Sequence, residues 1–305
     1  ISGTLTGDLF GGAYQSYVKQ STNIITTGNL YGNIYGGGEN TSNGTSGVGY
    51  KQNSEFISGT ININIKTGTI GKKNTSNNIY GGSKNQNNID TDKFEENSYI
   101  TIGSTEGSPI IYNTIYGGGI NDKLNSTNIE VIGNNRNSYL KIYGASNANS
   151  VIKTSNITTN GGYISEIYGS GNTVGSVDTT NITLDRSTVQ NVYGAGNRNS
   201  VKTTNIIAKS GNITNIYGGG KDLDTAIENT NISVLNGNIT NIYGAGLNNG
   251  AGRTNINVNV STRTSRITNI YGGAKDSGNV NETNVNILNG SVNNVYGGNQ
   301  NGGYT

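Results

Sequence analysis

The sequence predicts an all-β protein, a parallel β-helix (β-solenoid) of about 11 coils with about 25 residues each. Three observations predict this class. One aromatic-glycine motif recurs at a nearly constant spacing along the chain, which is typical of solenoids and repeat arrays. Between these motifs, β-branched residues alternate with polar residues, as in strands with one buried face. Asn and Gly lie where the chain must turn, because both residues tolerate positive φ.

The recurring motif is an apolar residue, an aromatic residue and one or more glycines, as in Ile216-Tyr217-Gly218. Its aromatic residues lie 24 to 28 residues apart, except for two longer periods of 45 and 36 residues. The aromatic positions are Phe10, Tyr35, Tyr80, Tyr116, Tyr143, Tyr168, Tyr193, Tyr217, Tyr243, Tyr271 and Tyr296. Equivalent strands stacked in parallel satisfy each other's backbone groups at a separation of about 4.8 Å, so the repeat favours a solenoid over an antiparallel sandwich.

Each period contains a strand with the pattern Thr-Asn-Ile or Thr-Asn-Val, for example Thr230-Asn231-Ile232. A turn such as Asn236-Gly237 follows, and then an apolar pair three residues apart, as at Ile239 and Ile242. Strict alternation would put the two members of this pair on opposite faces of the strand. We therefore expect a bend or a bulge between them.

We expect a single β-solenoid domain over residues 1–305, with loop insertions near 39–56 and 83–98, where two periods are long. Insertions in solenoids leave as loops at one corner of the coil. The second insertion carries four acidic residues, Asp90, Asp92, Glu95 and Glu96. Their oxygens are suitable ligands for one Ca²⁺, but a solvated loop is the simpler interpretation, and we predict no metal site.

Composition excludes several classes of function. Hydrophobic residues are 31% of the chain, below the roughly 45–50% of an ordinary globular domain, so we expect a thin core. The net charge is +2, without a cluster of Lys or Arg, and nucleic-acid binding requires such clusters. No apolar run approaches the roughly 18 residues of a membrane span. We therefore predict no nucleic-acid partner and no membrane span.

An enzyme is not expected. The chain has no His and no Cys, so it lacks two common catalytic side chains. Glycoside hydrolysis needs two carboxylates on neighbouring strands, whereas the carboxylates here form no column. These carboxylates, which lie mostly in predicted loops, are Asp178, Asp185, Asp222, Asp224, Glu228, Asp276 and Glu282. We predict no catalytic residue and no cofactor.

The Asn of the Thr-Asn-Ile pattern forms a column that alternation places on the outer face of the strands. Its clearest members are Asn128, Asn156, Asn181, Asn205, Asn231, Asn255 and Asn284, and Asn23 is an earlier copy. Stacked amides donate and accept hydrogen bonds between coils, so we interpret the column as a structural ladder. A polar face that binds a ligand is the alternative.

The ten tyrosines of the motif form the best candidate for a binding column, an exposed aromatic stripe that stacks on sugars or on another fibre. Their Ile or Val neighbours must point inward, so a regular strand places the tyrosines outside. Two alternatives remain open. In the first, the rings lie over glycine backbone of the neighbouring coil, and removing one ring lowers the stability of the protein by ~1–2 kcal/mol. In the second, the rings face inward.

The fullest copies of the repeat are Thr214-Asn215-Ile216-Tyr217-Gly218-Gly219-Gly220 and Asn294-Val295-Tyr296-Gly297-Gly298-Asn299. This pattern resembles the repeats of large β-helix surface proteins of anaerobic, often gut-dwelling, bacteria, which are adhesin-like. The resemblance spans nearly the whole chain and carries over no catalytic residue. It implies a location outside the cell or on the surface of a bacterium, and partners among surface glycans or proteins.

We therefore expect a bacterial cell-surface structural or adhesin-like repeat protein without catalytic activity. The alternative is a self-assembling extracellular fibre subunit that stacks head-to-tail on itself. This alternative follows from the ends: residues 1–12 read as a strand followed by an aromatic-glycine motif, and we find no polar cap at either end. Ice binding is disfavoured, because the Thr column lies two positions from the buried Ile and so shares its face.

Overall fold

The computed structural model describes residues 1–16, 18–39, 49–52, 55–84, 96–112, 114–120, 123–133, 140–222, 227–262 and 265–305. In these residues there is no helix, and the strands build three parallel sheets that wind in about ten turns. The predicted parallel β-helix is confirmed. The strands of these three sheets pair with their equivalents in neighbouring coils, so residue types stack on themselves, as in Asn205 on Asn231 and Tyr217 on Tyr243.

The Asn sheet contains the Thr-Asn-Ile strands. They are Ser21–Thr26, Thr60–Ile65, Asn97–Ile102, Lys123–Ile132, Val151–Asn160, Ser176–Asp185, Ser200–Ala208, Ile227–Val234, Ala251–Asn259 and Val280–Asn289. The Tyr sheet contains the aromatic motifs. Its strands are Leu9–Phe10, Ile34–Tyr35, Asn78–Tyr80, Thr114–Tyr116, Lys141–Tyr143, Tyr163–Tyr168, Ser187–Tyr193, Gly211–Tyr217, Asn238–Tyr243, Ile267–Tyr271 and Val292–Tyr296.

A third, short sheet occupies the first coils. Its strands are Thr4–Leu5, Asn29–Leu30, Thr69–Ile70 and Ile110–Ile111. In later coils the equivalent residues belong to the Tyr sheet, whose strands become longer there. The expected irregularity lies in these longer strands: Ile213 and Ile216 are both buried in Gly211–Tyr217, with Thr214 exposed between them. Alternation is therefore broken once in each such strand.

Both predicted insertions fall largely on residues outside the described ranges. In the first insertion, the strands Gly49–Gln52 and Glu55–Ser58 pair as an antiparallel hairpin. In the second insertion, Asp90, Asp92 and Glu95 lie outside the described residues. Glu96, by contrast, is described and is buried.

The main core is one long cluster of Ile, Val and Leu side chains from the sheets. In the Asn sheet it includes the Ile of the Thr-Asn-Ile pattern and, in most coils, an apolar residue two positions further, such as Ile232 and Val234. Each coil thus contributes only a few apolar side chains. Because each is covered by equivalents above and below, a chain with few apolar residues still buries a continuous core.

The Thr of the Thr-Asn-Ile pattern is buried and joins the two large sheets within one coil. Its Oγ1 donates to the carbonyl oxygen of the glycine that follows the stacked tyrosine, at 2.5 to 2.8 Å. The donor–acceptor pairs are Thr22–Gly36, Thr127–Gly144, Thr180–Gly194, Thr204–Gly218, Thr230–Gly244, Thr254–Gly272 and Thr283–Gly297. This Thr column therefore closes the coil and is not a surface array.

The glycine in this contact has no room for a side chain. A Cβ on Gly218 would overlap the carbonyl oxygen of Gly244 and lie 2.9 Å from the Cβ of Thr230. Gly297, in the last coil, occupies the same column and has nothing within 4 Å of an added Cβ. The close approach of the sheets at this point thus explains why the aromatic residue is followed by Gly.

We expect Gly218→Ala to destabilise the protein by about 3 kcal/mol. The carbonyl of Gly244 and the side chain of Thr230 cannot move away from the new methyl group without distorting the coil. Gly297→Ala is the matched control, and its effect should stay within about 0.5 kcal/mol. Urea unfolding followed by far-UV circular dichroism measures both. Equal effects of the two substitutions would contradict the steric explanation.

Candidate functional site

Phe10 and the ten tyrosines of the motif form one continuous stack of rings along the Tyr sheet. Neighbouring ring centroids lie 4.5 to 5.2 Å apart, and neighbouring ring planes are within 4° to 10° of parallel. The spacing equals the separation of hydrogen-bonded strands, about 4.8 Å, because the register puts each ring over the next. The repeat itself therefore produces the stack.

The stack is buried, so the expectation of an exposed tyrosine column is wrong. Eight of its tyrosines are between 1% and 7% exposed: Tyr35, Tyr80, Tyr116, Tyr143, Tyr168, Tyr193, Tyr217 and Tyr243. Tyr271 is partly buried, and Tyr296 in the last coil is 48% exposed. The rings form a cluster separate from the Ile core, so they do not face inward, and each ring packs on the rings of neighbouring coils.

The physical reason for this burial is mutual coverage. Each ring between Phe10 and Tyr296 hides both faces against its two neighbours, and the loops that follow the motif add Ile120 and Leu247 along the side. An outward direction in a strand therefore does not imply exposure when the same bulky residue recurs in every coil. Offset stacking of such rings adds stability beyond the area that they bury.

Burial raises the pKa of Tyr143 and Tyr217 to about 12, because a phenolate inside the stack would lose its hydration. Burial also raises the pKa of five further tyrosines of the stack: Tyr35, Tyr116, Tyr168, Tyr193 and Tyr243. The stack therefore favours the protonated, neutral form of its rings.

We expect the protein to lose stability as the pH rises above about 10. Unfolded tyrosines release their protons near pH 10, whereas Tyr143 and Tyr217 hold theirs to about 12, so the folded state binds more protons in this window. The contribution of the stack is complete below about pH 10 and is lost between about pH 10 and 12. Thermal melts across this range measure the slope. The Tyr143→Phe, Tyr217→Phe double variant should reduce the slope, although the other buried tyrosines keep part of it. An unchanged slope would contradict this assignment.

The predicted Asn column forms a ladder of side-chain hydrogen bonds on the outer face of the Asn sheet. From Asn156 to Asn284, each amide Nδ2 donates to the Oδ1 of the Asn one coil below, at 2.9 to 3.2 Å. The ladder members are Asn128, Asn156, Asn181, Asn205, Asn231, Asn255 and Asn284. This arrangement is the structural ladder of our first interpretation.

One residue interrupts the ladder. Tyr99 takes the Asn position between Asn62 and Asn128, and its side chain is 42% exposed. Asn128 donates instead to the Ser98 carbonyl at 3.1 Å, and the ladder resumes below, where Asn62 donates to Asn23 at 3.1 Å. Tyr99 therefore costs the column two amide hydrogen bonds.

We expect Tyr99→Asn to stabilise the protein by about 1 kcal/mol. The new amide would donate to Asn62 and accept from Asn128, and partly exposed side-chain hydrogen bonds contribute about 0.5–1.5 kcal/mol each. Chemical denaturation of the wild type and the variant tests this. Tyr163→Asn, which changes another exposed tyrosine outside the ladder, is the control and should not stabilise the protein.

A second ladder was not predicted from the sequence. Asn215, Asn241, Asn269 and Asn294 of the Tyr sheet each donate to the Asn one coil below, at 2.8 to 2.9 Å, beginning on Asn191. Its signal is the Asn two positions before the stacked tyrosine, which recurs in these coils as Asn-Ile-Tyr or Asn-Val-Tyr. Both large sheets therefore carry hydrogen-bonded amides on the outside.

Five of the carboxylates that were weighed as catalytic candidates bond across neighbouring coils. Asp178 pairs with Lys202 at 2.7 Å, and Glu282 pairs with Arg253 at 2.8 Å. Three further carboxylates accept from the next coil in the pairs Asp185–Ser210, Asp222–Asn248 and Asp276–Asn301. Asp224 lies outside the described residues. Among the residues that are described, no group of three or more acidic side chains is arranged to hold a metal ion.

No protein-family model matches the chain, and neither a curated protein nor a solved structure matches it. Within the described part of the chain, no helix has the length and apolar character that crossing a membrane requires.

Proposed function

We propose that this protein is a non-catalytic scaffold of a bacterial surface, located outside the cell, that presents its outer faces to glycans or proteins in the manner of an adhesin. The single observation that carries this proposal is the outer face of the Asn sheet. Its ladder of amides holds neighbouring coils in register on the solvent side, in addition to the packing of the core. Ten such strands at about 4.8 Å extend the face over roughly 45 Å.

The shape supports this function more than a catalytic one. A repeated face offers many equivalent positions from coil to coil, which suits contact with an extended polymer or another surface. Asp178 and Glu282 form ion pairs with residues of neighbouring coils. Asp185, Asp222 and Asp276 accept hydrogen bonds from the next coil. Such partners give these side chains a role in stability.

The test is adhesion of the purified, full chain. We expect it to bind a subset of immobilised glycans or of bacterial and host cell surfaces, and to show no turnover of polysaccharides. Absence of binding to every surface, with filaments or turnover instead, would overturn the proposal. The melting temperature of the same sample shows that the protein is folded in the assay.

A fibre subunit is the second candidate, since a coil that pairs with its equivalent in the same chain can pair in the same way with a coil of a second copy. Val295 and Tyr296 lie in register with Ile270 and Tyr271 of the preceding coil. A second copy that places Leu9 and Phe10 on Val295 and Tyr296 would extend the Tyr sheet. Electron microscopy at increasing concentration tests this. Filaments that Val295→Lys abolishes support the fibre, and single particles at every concentration contradict it.

A further inference from the structure

We propose that the outer face of the Asn sheet binds a neutral hexopyranose ring at Tyr99, an inference that rests on the adhesin-like function proposed above. The site is a shallow groove of about 210 Å³ that is open to solvent. It combines one aromatic ring with hydroxyls, amides and one carboxylate. The polar and aromatic residues that line it are Tyr99, Thr101, Asn128, Glu130, Asn156 and Thr158.

Tyr99 is the departure from a rule that the rest of the sheet obeys. Nine of the ten strands of the Asn sheet have Asn at this position, and Tyr99 stands in the tenth. The substitution removes two hydrogen bonds from the ladder and places an aromatic side chain, 42% exposed, on a polar face. Departures from local structural rules are expected where function requires them. Stability does not explain Tyr99.

A row of unengaged polar side chains runs beside the ring. Thr101, Glu130 and Thr158 lie directly over one another in three successive coils. In the described part of the structure, no hydrogen bond or ion pair occupies these three side chains, whereas Asn128 and Asn156 bond to each other in the neighbouring column. The row therefore offers two hydroxyls and one carboxylate to a ligand, at intervals of about 4.8 Å.

These groups match the two surfaces of a pyranose. One face of the sugar ring consists of C–H groups and packs on the face of an aromatic ring such as Tyr99. The hydroxyls at its rim then reach the row, where the carboxylate of Glu130 accepts from two neighbouring hydroxyls in charge-assisted bonds. Thr101 and Thr158 both donate and accept, which suits further hydroxyls.

Charge selects among sugars. Among the described residues, Glu130 is the one charged side chain that lines the groove. A carboxylate on the sugar would approach it with the same sign of charge, which disfavours uronic and sialic acids. The ligand class is therefore a neutral hexose, either alone or as one residue of a glycan chain that continues over the open face.

The probes are methyl glucopyranoside, methyl galactopyranoside and glucuronic acid, titrated into the full chain with saturation-transfer NMR. We expect saturation of the ring C–H protons of at least one neutral glycoside, with millimolar affinity, and weaker binding of glucuronic acid. Tyr99→Asn should reduce the affinity at least tenfold. Because that variant completes the ladder, its melting temperature should not fall, so loss of binding cannot be attributed to unfolding.

Two controls complete the design. Tyr163→Asn removes an exposed tyrosine outside the groove and should leave the affinity unchanged. Glu130→Gln should lower the affinity for the neutral glycosides several-fold. It should also reduce the difference between their affinity and that of glucuronic acid. Binding that Tyr99→Asn retains, or no binding of any neutral glycoside by the wild type, overturns the site. Adhesion to cells is measured for the wild type and for Tyr99→Asn. If both adhere although the sugar site at Tyr99 has failed, the proposed function still holds, because it does not depend on this residue alone.

Discussion

Ile206→Asn is expected to destabilise the protein by about 3–6 kcal/mol. Ile206 is 1% exposed, and it packs between Ile182 and Ile232 in the core column. Its replacement loses about 1.5–3 kcal/mol of apolar burial and leaves a buried amide without partners, which costs a similar amount. Urea unfolding monitored by far-UV circular dichroism gives the free energy of unfolding.

Ile207→Asn is the matched control for this prediction. Ile207 is the next residue of the same strand, lies on the outer face between Thr183 and Ser233, and is only partly buried. The same chemical change should cost less than about 1 kcal/mol there, since the amide remains hydrated. Similar losses at the two positions would show that the facing of the strand is wrong.

Tyr217→Ala is expected to cost about 3–5 kcal/mol, the range for deleting a buried aromatic side chain. Its ring lies 4.7 Å from that of Tyr193 and 4.9 Å from that of Tyr243, with interplanar angles of 7° and 8°. Deleting it exposes one face of each neighbour and leaves a gap in the stack. The cost of ~1–2 kcal/mol for a ring that covers only glycine does not apply to this geometry.

Two further variants separate the ring from its hydroxyl and from general effects. Tyr217→Phe keeps both ring faces and should cost less than about 1 kcal/mol. Tyr163→Ala removes a tyrosine that is exposed on the surface, and it should also stay within about 1 kcal/mol. Near-UV circular dichroism reports the loss of ring stacking in Tyr217→Ala. A cost close to that of Tyr163→Ala would contradict the importance of the stack.

The repeat made the fold and the Asn ladder predictable. In a parallel solenoid each strand pairs with its own equivalent, so the register follows from aligning the periods, as for Ile206 on Ile232. A one-residue slip would turn every Ile outward, which the thin core does not permit. The face of a residue such as Asn205 then follows from alternation, and its partner is the Asn of the next coil.

The function of individual columns was harder to predict from the pattern. Tyr217 is outside the Ile core as expected, yet its ring is covered by the rings of the neighbouring coils, and loop residues pack against the stack. The Thr204–Gly218 bond joins residues 14 apart on different sheets, and no local pattern shows how closely those sheets approach. Tyr99 was not predicted to differ either, because one change among many repeats looks like ordinary degeneracy until the broken ladder is seen.

The sequence by itself determined the period, the strand register and the inward or outward direction of each column, since these depend only on neighbours in the chain and on translation from coil to coil. The tertiary structure alone decided which outward residues meet water. Exposure depends on the distance between sheets, on the loops that cross a column and on whether adjacent coils supply equal side chains. Tyr217 and Tyr99 both point away from the core, and only the first is covered by rings of its own kind.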